Sequence, residues 1–195
     1  EGKKISKSDG KPQTADSYVT KYGADVLRMW VASEDFRRDI PLSDEILDQA
    51  VRAYRTLRNT IRFQLGALYD FSSTENLVRV DEMSPVDIWA LGKTNDLIKE
   101  VTEFCEKYEF HRAIQSVNRF CSGVLSSTYH DIIKDRLYTL STNDPLRRST
   151  QSALYSIFQS LIKLVGPFTP YIADEAWSFL QSGHEYSEHF LCLED

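Results

Sequence analysis

From residue 43 onward, apolar side chains recur at intervals of three and four, the spacing of one face of an α-helix. In the stretch 43–71, SDEILDQAVRAYRTLRNTIRFQLGALYDF, they fall at Ile46, Leu47, Ala50, Val51, Tyr54, Leu57, Ile61, Leu65 and Leu68. Ser43 is placed as the N-cap, and Asp44 and Glu45 set carboxylates against the positive end of the helix dipole. A second helix is predicted from Ser84-Pro85, a cap residue followed by proline at the first helical position. Its buried stripe reads Leu91, Ile98, Val101, Cys105 and Tyr108. A third runs from Phe110 to Ile133 and turns Phe110, Ala113, Ile114, Val117, Cys121, Val124 and Leu125 inward. A fourth starts at Asp144-Pro145, buries Ala153, Leu154, Ile157, Phe158, Leu161 and Val165, and stops at Gly166-Pro167. A fifth starts at Thr169-Pro170 and carries Ile172, Ala173, Ala176, Trp177 and Leu180.

Upstream, a short helix is predicted over 15–22 with Gly23 as its stop. The stretch ADVLRMWVA (24–32) has helical apolar spacing, and 33–43 reads as a connection. Residues 1–13 form a polar, lysine-rich loop, and 71–84 a connector. Alternating apolar runs are few and short. The expected fold is mainly all-α: an antiparallel helical bundle over 42–195, preceded by a loop and connector over 1–41.

Composition sharpens this reading. The chain has 195 residues, 42% of them hydrophobic, enough for a sizeable core. The net charge of −6 argues against a protein coated in basic residues, but not against a local basic strip. Three cysteines, at 105, 121 and 192, have neither zinc nor disulfide spacing, so reduced thiols and a cytosolic location are expected. Cys105 and Cys121 sit on apolar helical faces and read as small core residues. No apolar run has the length of a membrane span and no signal peptide is visible. The chain opens without an initiator Met, which points to a piece of a longer protein.

Little in the chain has the spacing of catalytic chemistry. The histidines, at 111, 130, 184 and 189, form no metal-ligand set, and no glycine-rich phosphate loop is present. Two basic features remain. Lys3, Lys4, Lys7 and Lys11 stand among serines in the N-terminal loop. Their ammoniums suit charge that develops on phosphates, although composition alone favours a solvated terminal tail. Arg52, Arg55, Asn59 and Arg62 step by three, four and three residues, so they share one helix face. Such a row can grip a nucleic-acid backbone and reach base edges. It can equally be a solvated face on which Asp48 pairs with Arg52. Tyr129, Tyr138 and Trp177 are candidates for stacking on unpaired bases, against the ordinary reading of aromatics as core.

Six stretches then align with one family. Lys4-Ile5-Ser6-Lys7-Ser8 resembles the KMSKS signature of class I aminoacyl-tRNA synthetases, with isoleucine in place of methionine. It is followed in order by GADVLRMWVAS (23–33), RNTIRFQLGAL (58–68), DIIKDRLYT (131–139), RRSTQSALY (147–155) and GPFTPYIADEAW (166–177). This set, KDRLY above all, is similar to bacterial-type isoleucyl-tRNA synthetases, with the valyl and leucyl enzymes as the alternative relatives. The resemblance implies that Lys4 to Ser8 close over ATP, with its Mg²⁺, and that Lys4 and Lys7 stabilise charge on the departing pyrophosphate. It implies that 1–41 come from the catalytic domain and that 42–195 bind the anticodon region of isoleucine tRNA. Isoleucine and ATP would be substrates of the full-length ligase, expected to be a cytoplasmic monomer with no membrane association. The HIGH-like signature of the class occurs nowhere in the chain, so these residues alone are expected to bind no ATP and to be inactive. Two local departures stand out: Asp9-Gly10-Lys11 where the family has Leu-Gly-Asn, and SEHF (187–190) where Ser-Val-His-Leu is expected. A helical protein-interaction module derived from such an enzyme is the reading from a different class.

Overall fold

The computed structural model describes residues 14–40 and 42–181. Its helices are α1 (Ala15–Tyr22), α2 (Ala24–Ser33), α3 (Asp44–Ala67), α4 (Pro85–Glu106), α5 (Phe110–Arg119), α6 (His130–Thr139), α7 (Pro145–Val165) and α8 (Pro170–Gln181). A π-helical segment, Phe120–Tyr129, joins α5 to α6 without a break. No strand occurs among the described residues, in accord with the all-α expectation. The signature loop, Lys4, Ile5, Ser6, Lys7 and Ser8, lies outside the described residues.

Two of the helix starts carry the cap bonds read from sequence. The Ser43 hydroxyl accepts the Ile46 N–H at 3.3 Å, and the Asp144 carboxylate accepts the Leu146 N–H at 2.8 Å. Gly23 ends α1 at φ 90°, a backbone conformation that favours glycine. The ends are less faithful. Helix α3 stops at Ala67 rather than 71, and Leu68 donates its N–H to Gln64 and Leu65. Tyr108, at φ 57°, lies beyond α4 and is exposed.

The buried stripe of α4 is Ala90, Thr94, Leu97, Val101 and Phe104, one residue away from the predicted Ile98 and Cys105. Apolar residues occur in adjacent pairs there, and both members of a pair satisfy helical spacing. The third helix passes Ile133 and continues to Thr139 because Ile133 and Leu137 carry the apolar row onward. From Cys121 the buried apolar positions are Leu125, Tyr129, Ile133 and Leu137, a step of four. The wider π turn suits that step, and the Ser127 and Thr128 hydroxyls donate to carbonyls five residues back.

Helix α7 runs through the centre, packed by α3, α4, α6 and α8. Its C-terminal half buries Leu154, Ile157, Phe158, Leu161, Ile162 and Val165, and its N-terminal half buries Arg147, Ser149, Thr150, Gln151 and Ser152. Those polar residues are all partnered. Asp87 at the start of α4 is wholly buried and accepts from Tyr129 and Ser149 at 2.7 Å each, and from Thr150 at 3.3 Å. The Ser84 hydroxyl donates to Asp87 at 2.7 Å instead of capping a backbone N–H. Arg136 donates to Ser84 and Thr150 and stands 3.6 Å from the Asp87 carboxylate. Burial beside this carboxylate raises the Tyr129 phenol well above its usual range, so its proton stays on the hydrogen bond.

Outside the bundle centre, Asp25 of α2 is buried and accepts the Tyr171 and Ile172 N–H groups at the start of α8, at 3.3 and 2.8 Å. It therefore caps a helix nearly 150 residues downstream. Arg28, one turn later, donates to the carbonyls of Pro167 and Phe168 in the turn between α7 and α8. Met29 of α2 sits in the core, 1% exposed.

Two expectations follow. Asp87→Ala strips the acceptor from the hydroxyls of Ser84, Tyr129, Ser149 and Thr150 and leaves Arg136 uncompensated. Urea unfolding will show a loss of about 3–5 kcal/mol, against about 1 kcal/mol for Tyr129→Phe, which removes a single bond. The second concerns His130, buried and stacked on Phe63 with ring centroids 4.2 Å apart. Burial holds its pKa at about 4, below the ordinary 6.5. The neutral ring's contribution is whole above pH 6.5, where neither state is protonated. It is lost as pH falls from 6.5 to 4 because the unfolded chain gains the proton first. Across that window the native protein will lose about 3 kcal/mol more than a His130→Phe variant, measured by denaturant titration at each pH.

Candidate nucleic-acid interface

Helix α3 is held by one face and open on the other. Leu47, Ala50, Leu57 and Ile61 enter the core with Thr60 and Gln64. At its start, Tyr22 and Lys21 of α1 donate to Asp44. On the opposite face Arg52, Arg55, Asn59 and Arg62 are all exposed and lie in one row, as their spacing predicted. The row continues through Gly66 to Tyr69, and Arg58 stands beside it, all exposed.

The charge on this face is uncompensated. Among the described residues, no carboxylate lies within ion-pair distance of Arg52, Arg55, Arg58 or Arg62, and the Asp48–Arg52 pair does not form. Every other described arginine is engaged. Arg37 and Arg38 pair with Asp35, Arg79 with Asp81, Arg112 with Glu109 and Arg119 with Glu100. Arg28 is tied to carbonyls, Arg136 to hydroxyls beside Asp87, and Arg147 and Arg148 to Asp70. The sequence explains the contrast. Residues 49–69 contain no Asp or Glu, and neither do 110–130, whose π-helical part packs beside α3. An acidic protein thus carries a strip on which positive charge faces solvent.

Two grooves flank the row. Between α3 and α6 lies one of about 390 Å³, lined by Asn59, Arg62, Phe63, Gly66, Ala67, Leu137 and Tyr138. Between α3 and α8 lies one of about 580 Å³, with Ile61, Leu65, Ile172 and Ala176 as its apolar lining and Arg58, Arg62, Tyr69, Glu175 and Phe179 around them. Of the three aromatics proposed for stacking, only Tyr138 presents itself, 75% exposed at the first groove. Tyr129 is buried and donates to Asp87, and Trp177 is half-buried against the core. Arg58, Tyr69 and Phe179 were not singled out by sequence reasoning. Extending the row by three and four residues reaches Gly66 and Tyr69, whereas nothing in the sequence marks Phe179.

The ends of α3 and α6 are fixed relative to each other by α7. Arg147 grips the Asp70 carboxylate through two bonds of 3.0 and 3.1 Å and also donates to the Leu137 carbonyl. Gln151 donates to Asp70 at 2.7 Å and to the Ala67 carbonyl at 2.8 Å. Arg148 donates to the Asp70 carbonyl and to Gln151. The RRSTQ stretch is therefore scaffolding for the grooves, and none of its side chains reaches the arginine row.

Chemically the face presents positive charge and aromatic rings to solvent. Burial pushes the Cys121 thiol up to about 12, and burial likewise raises half-buried Cys105, so the environment activates neither thiol. Among the described residues, no group of three His, Cys, Asp or Glu is placed to hold a metal ion. No described helix is long and apolar enough to cross a membrane.

Comparison with known proteins agrees with this geometry. The chain is 46% identical over 190 residues to an isoleucine–tRNA ligase of Petrotoga mobilis, a match covering 97% of this chain and 21% of that protein. It is 45% identical over 182 residues to the isoleucine–tRNA ligase of Desulfotalea psychrophila, covering 93% of this chain and 19% of that one. The chain thus spans about a fifth of the length of the curated relatives it matches. Among solved structures, it matches the LeuRS chain of a LeuRS–tRNA–LeuAMS ternary complex from Agrobacterium radiobacter K84, with a TM-score of 0.64. That match covers 92% of this chain and 21% of the other at 20% identity, and it shows a shared fold. A family profile described as the anticodon-binding domain of tRNA ligase matches residues 87–194, more than half of the chain. The chain belongs to this family of anticodon-binding domains of tRNA ligases.

Proposed function

We infer that this chain is the anticodon-binding region of an isoleucine–tRNA ligase and that the exposed row of α3 meets the anticodon arm of isoleucine tRNA. The observation that carries this reading is the uncompensated charge: the four described arginines left without an ion pair or hydrogen bond all stand on one face of α3, in a chain of net charge −6. Arg52, Arg55 and Arg62 meet phosphates, Asn59 offers an amide to a base edge, and Tyr138 offers a ring face. Relatives at 45–46% identity that bear the isoleucine name favour that amino acid over valine or leucine. The longer protein would join isoleucine to its tRNA with ATP and Mg²⁺, as a cytoplasmic monomer. Lys4 and Lys7 would close over the phosphates during activation, and the present chain would not aminoacylate alone.

Filter binding against isoleucine tRNA tests the assignment. Each arginine on a phosphate releases counterions, so Arg55→Gln with Arg62→Gln will lower affinity and flatten the slope of log K against log salt by about 2. Unchanged affinity and slope would favour the protein-interaction module. The signature loop has a separate readout in the full-length ligase. Lys7→Ala will slow ATP–pyrophosphate exchange by about 10²-fold or more while tRNA binding stays as in the native enzyme. Loss of tRNA binding with unchanged exchange would reverse the assignment.

A further inference from the structure

The exposed row on α3 has a gap in it. Gly66 follows Arg62 by four residues and precedes Tyr69 by three, so it stands on the same face. Glycine is among the least favourable residues inside a helix. Gly66 keeps an ordinary φ, since among the described glycines only Gly23 takes a positive one. Among the described residues, and apart from its own stretch of helix, a Cβ built at Gly66 would meet no atom within 4 Å. Neither backbone conformation nor packing among the described residues calls for glycine here. Gly92 and Gly123 are equally open, so openness alone carries nothing. Position sets Gly66 apart. It and Arg62 line both grooves, which makes the helix surface at Gly66 the saddle between them. Exposed Tyr138 stands on one side of this saddle and exposed Tyr69 on the other.

We propose that an unpaired RNA strand crosses α3 at Gly66, its sugar–phosphate backbone lying against the bare helix and its flanking bases entering the two grooves. The proposal rests on the reading of this face as the tRNA-binding surface. A missing side chain lets a ligand backbone approach the helix closely. Arg62, one turn away, neutralises the phosphate that passes there. Tyr138 and Tyr69 supply ring faces for bases on either side, a mode of binding that tolerates any base. Glu175 lies in the α3/α8 groove and repels phosphate, which keeps the charged backbone on the saddle and admits the neutral base.

Gly66→Ala and Gly66→Gln in the 195-residue chain test this, with the Arg55→Gln, Arg62→Gln pair alongside. Melting is followed by circular dichroism and binding to isoleucine tRNA by fluorescence anisotropy. Gly66→Ala is expected to raise Tm by about 2–4 °C and to weaken binding about threefold. Gly66→Gln is expected to weaken binding about tenfold with no drop in Tm. A gain in stability joined to a loss of binding does not arise from damage to the fold. Native affinity in both glycine variants, with weakening in the arginine pair, overturns the crossing and leaves the tRNA-binding reading in place. Native affinity in all of them overturns both. A fall in Tm for Gly66→Ala would mean that the chain itself, residues 182–195 included, fills the gap, and this too overturns the proposal.

Discussion

A single buried carboxylate orders the middle of this bundle. Asp87 has no exposed surface, and the groups that satisfy it come from the start of α4, the π-helical segment and α7, with Arg136 of α6 beside them. A buried charge is costly unless paired and hydrogen-bonded, so these elements must meet in one arrangement or the cost returns. Apolar packing tolerates small rotations of a helix about its axis, whereas a carboxylate with directional donors does not. The polar half of α7 therefore sets register, and its apolar half contributes the burial.

Much of this was legible in the sequence because helices announce their starts. Ser43 and Asp144 cap as their residue types dictate, and Pro85, Pro145 and Pro170 mark first turns. Interiors were less legible where apolar residues stand in pairs. Leu97 with Ile98 and Phe104 with Cys105 give two stripes of equal spacing, and contacts with α5 and α7 choose between them. Long-range caps were not legible at all. Asp25 reads as an ordinary acidic first-turn residue, yet its carboxylate closes the start of α8, and only the folded chain brings the two together.

The candidate interface was legible in part, for reasons that differ by residue. The row of Arg52, Arg55, Asn59 and Arg62 follows from helix periodicity, and its exposure follows from the apolar stripe opposite. Its distinguishing property, the absence of ion partners, needed the structure, since Asp48 at four residues' spacing promised a pair that does not form. The aromatics show the limit of composition. Tyr129 and Tyr138 lie nine residues apart on one continuous helical run, and one is buried on Asp87 while the other is three-quarters exposed. Charge patterns survive in one dimension, but which face an aromatic presents depends on the phase of the helix, and the π turns shift that phase.

The clasp of Arg147 and Gln151 on Asp70 and Ala67 has a consequence for how the surface works. It holds the last turns of α3 and α6 at a fixed separation through bonds shielded from water. A ligand entering between them finds walls already in place, so little ordering entropy is spent on the protein side at the moment of contact. Discrimination on such a preorganised surface resides in how long a complex lasts rather than in how quickly it forms. The two grooves thus resemble less a hand that closes than a gauge of fixed opening.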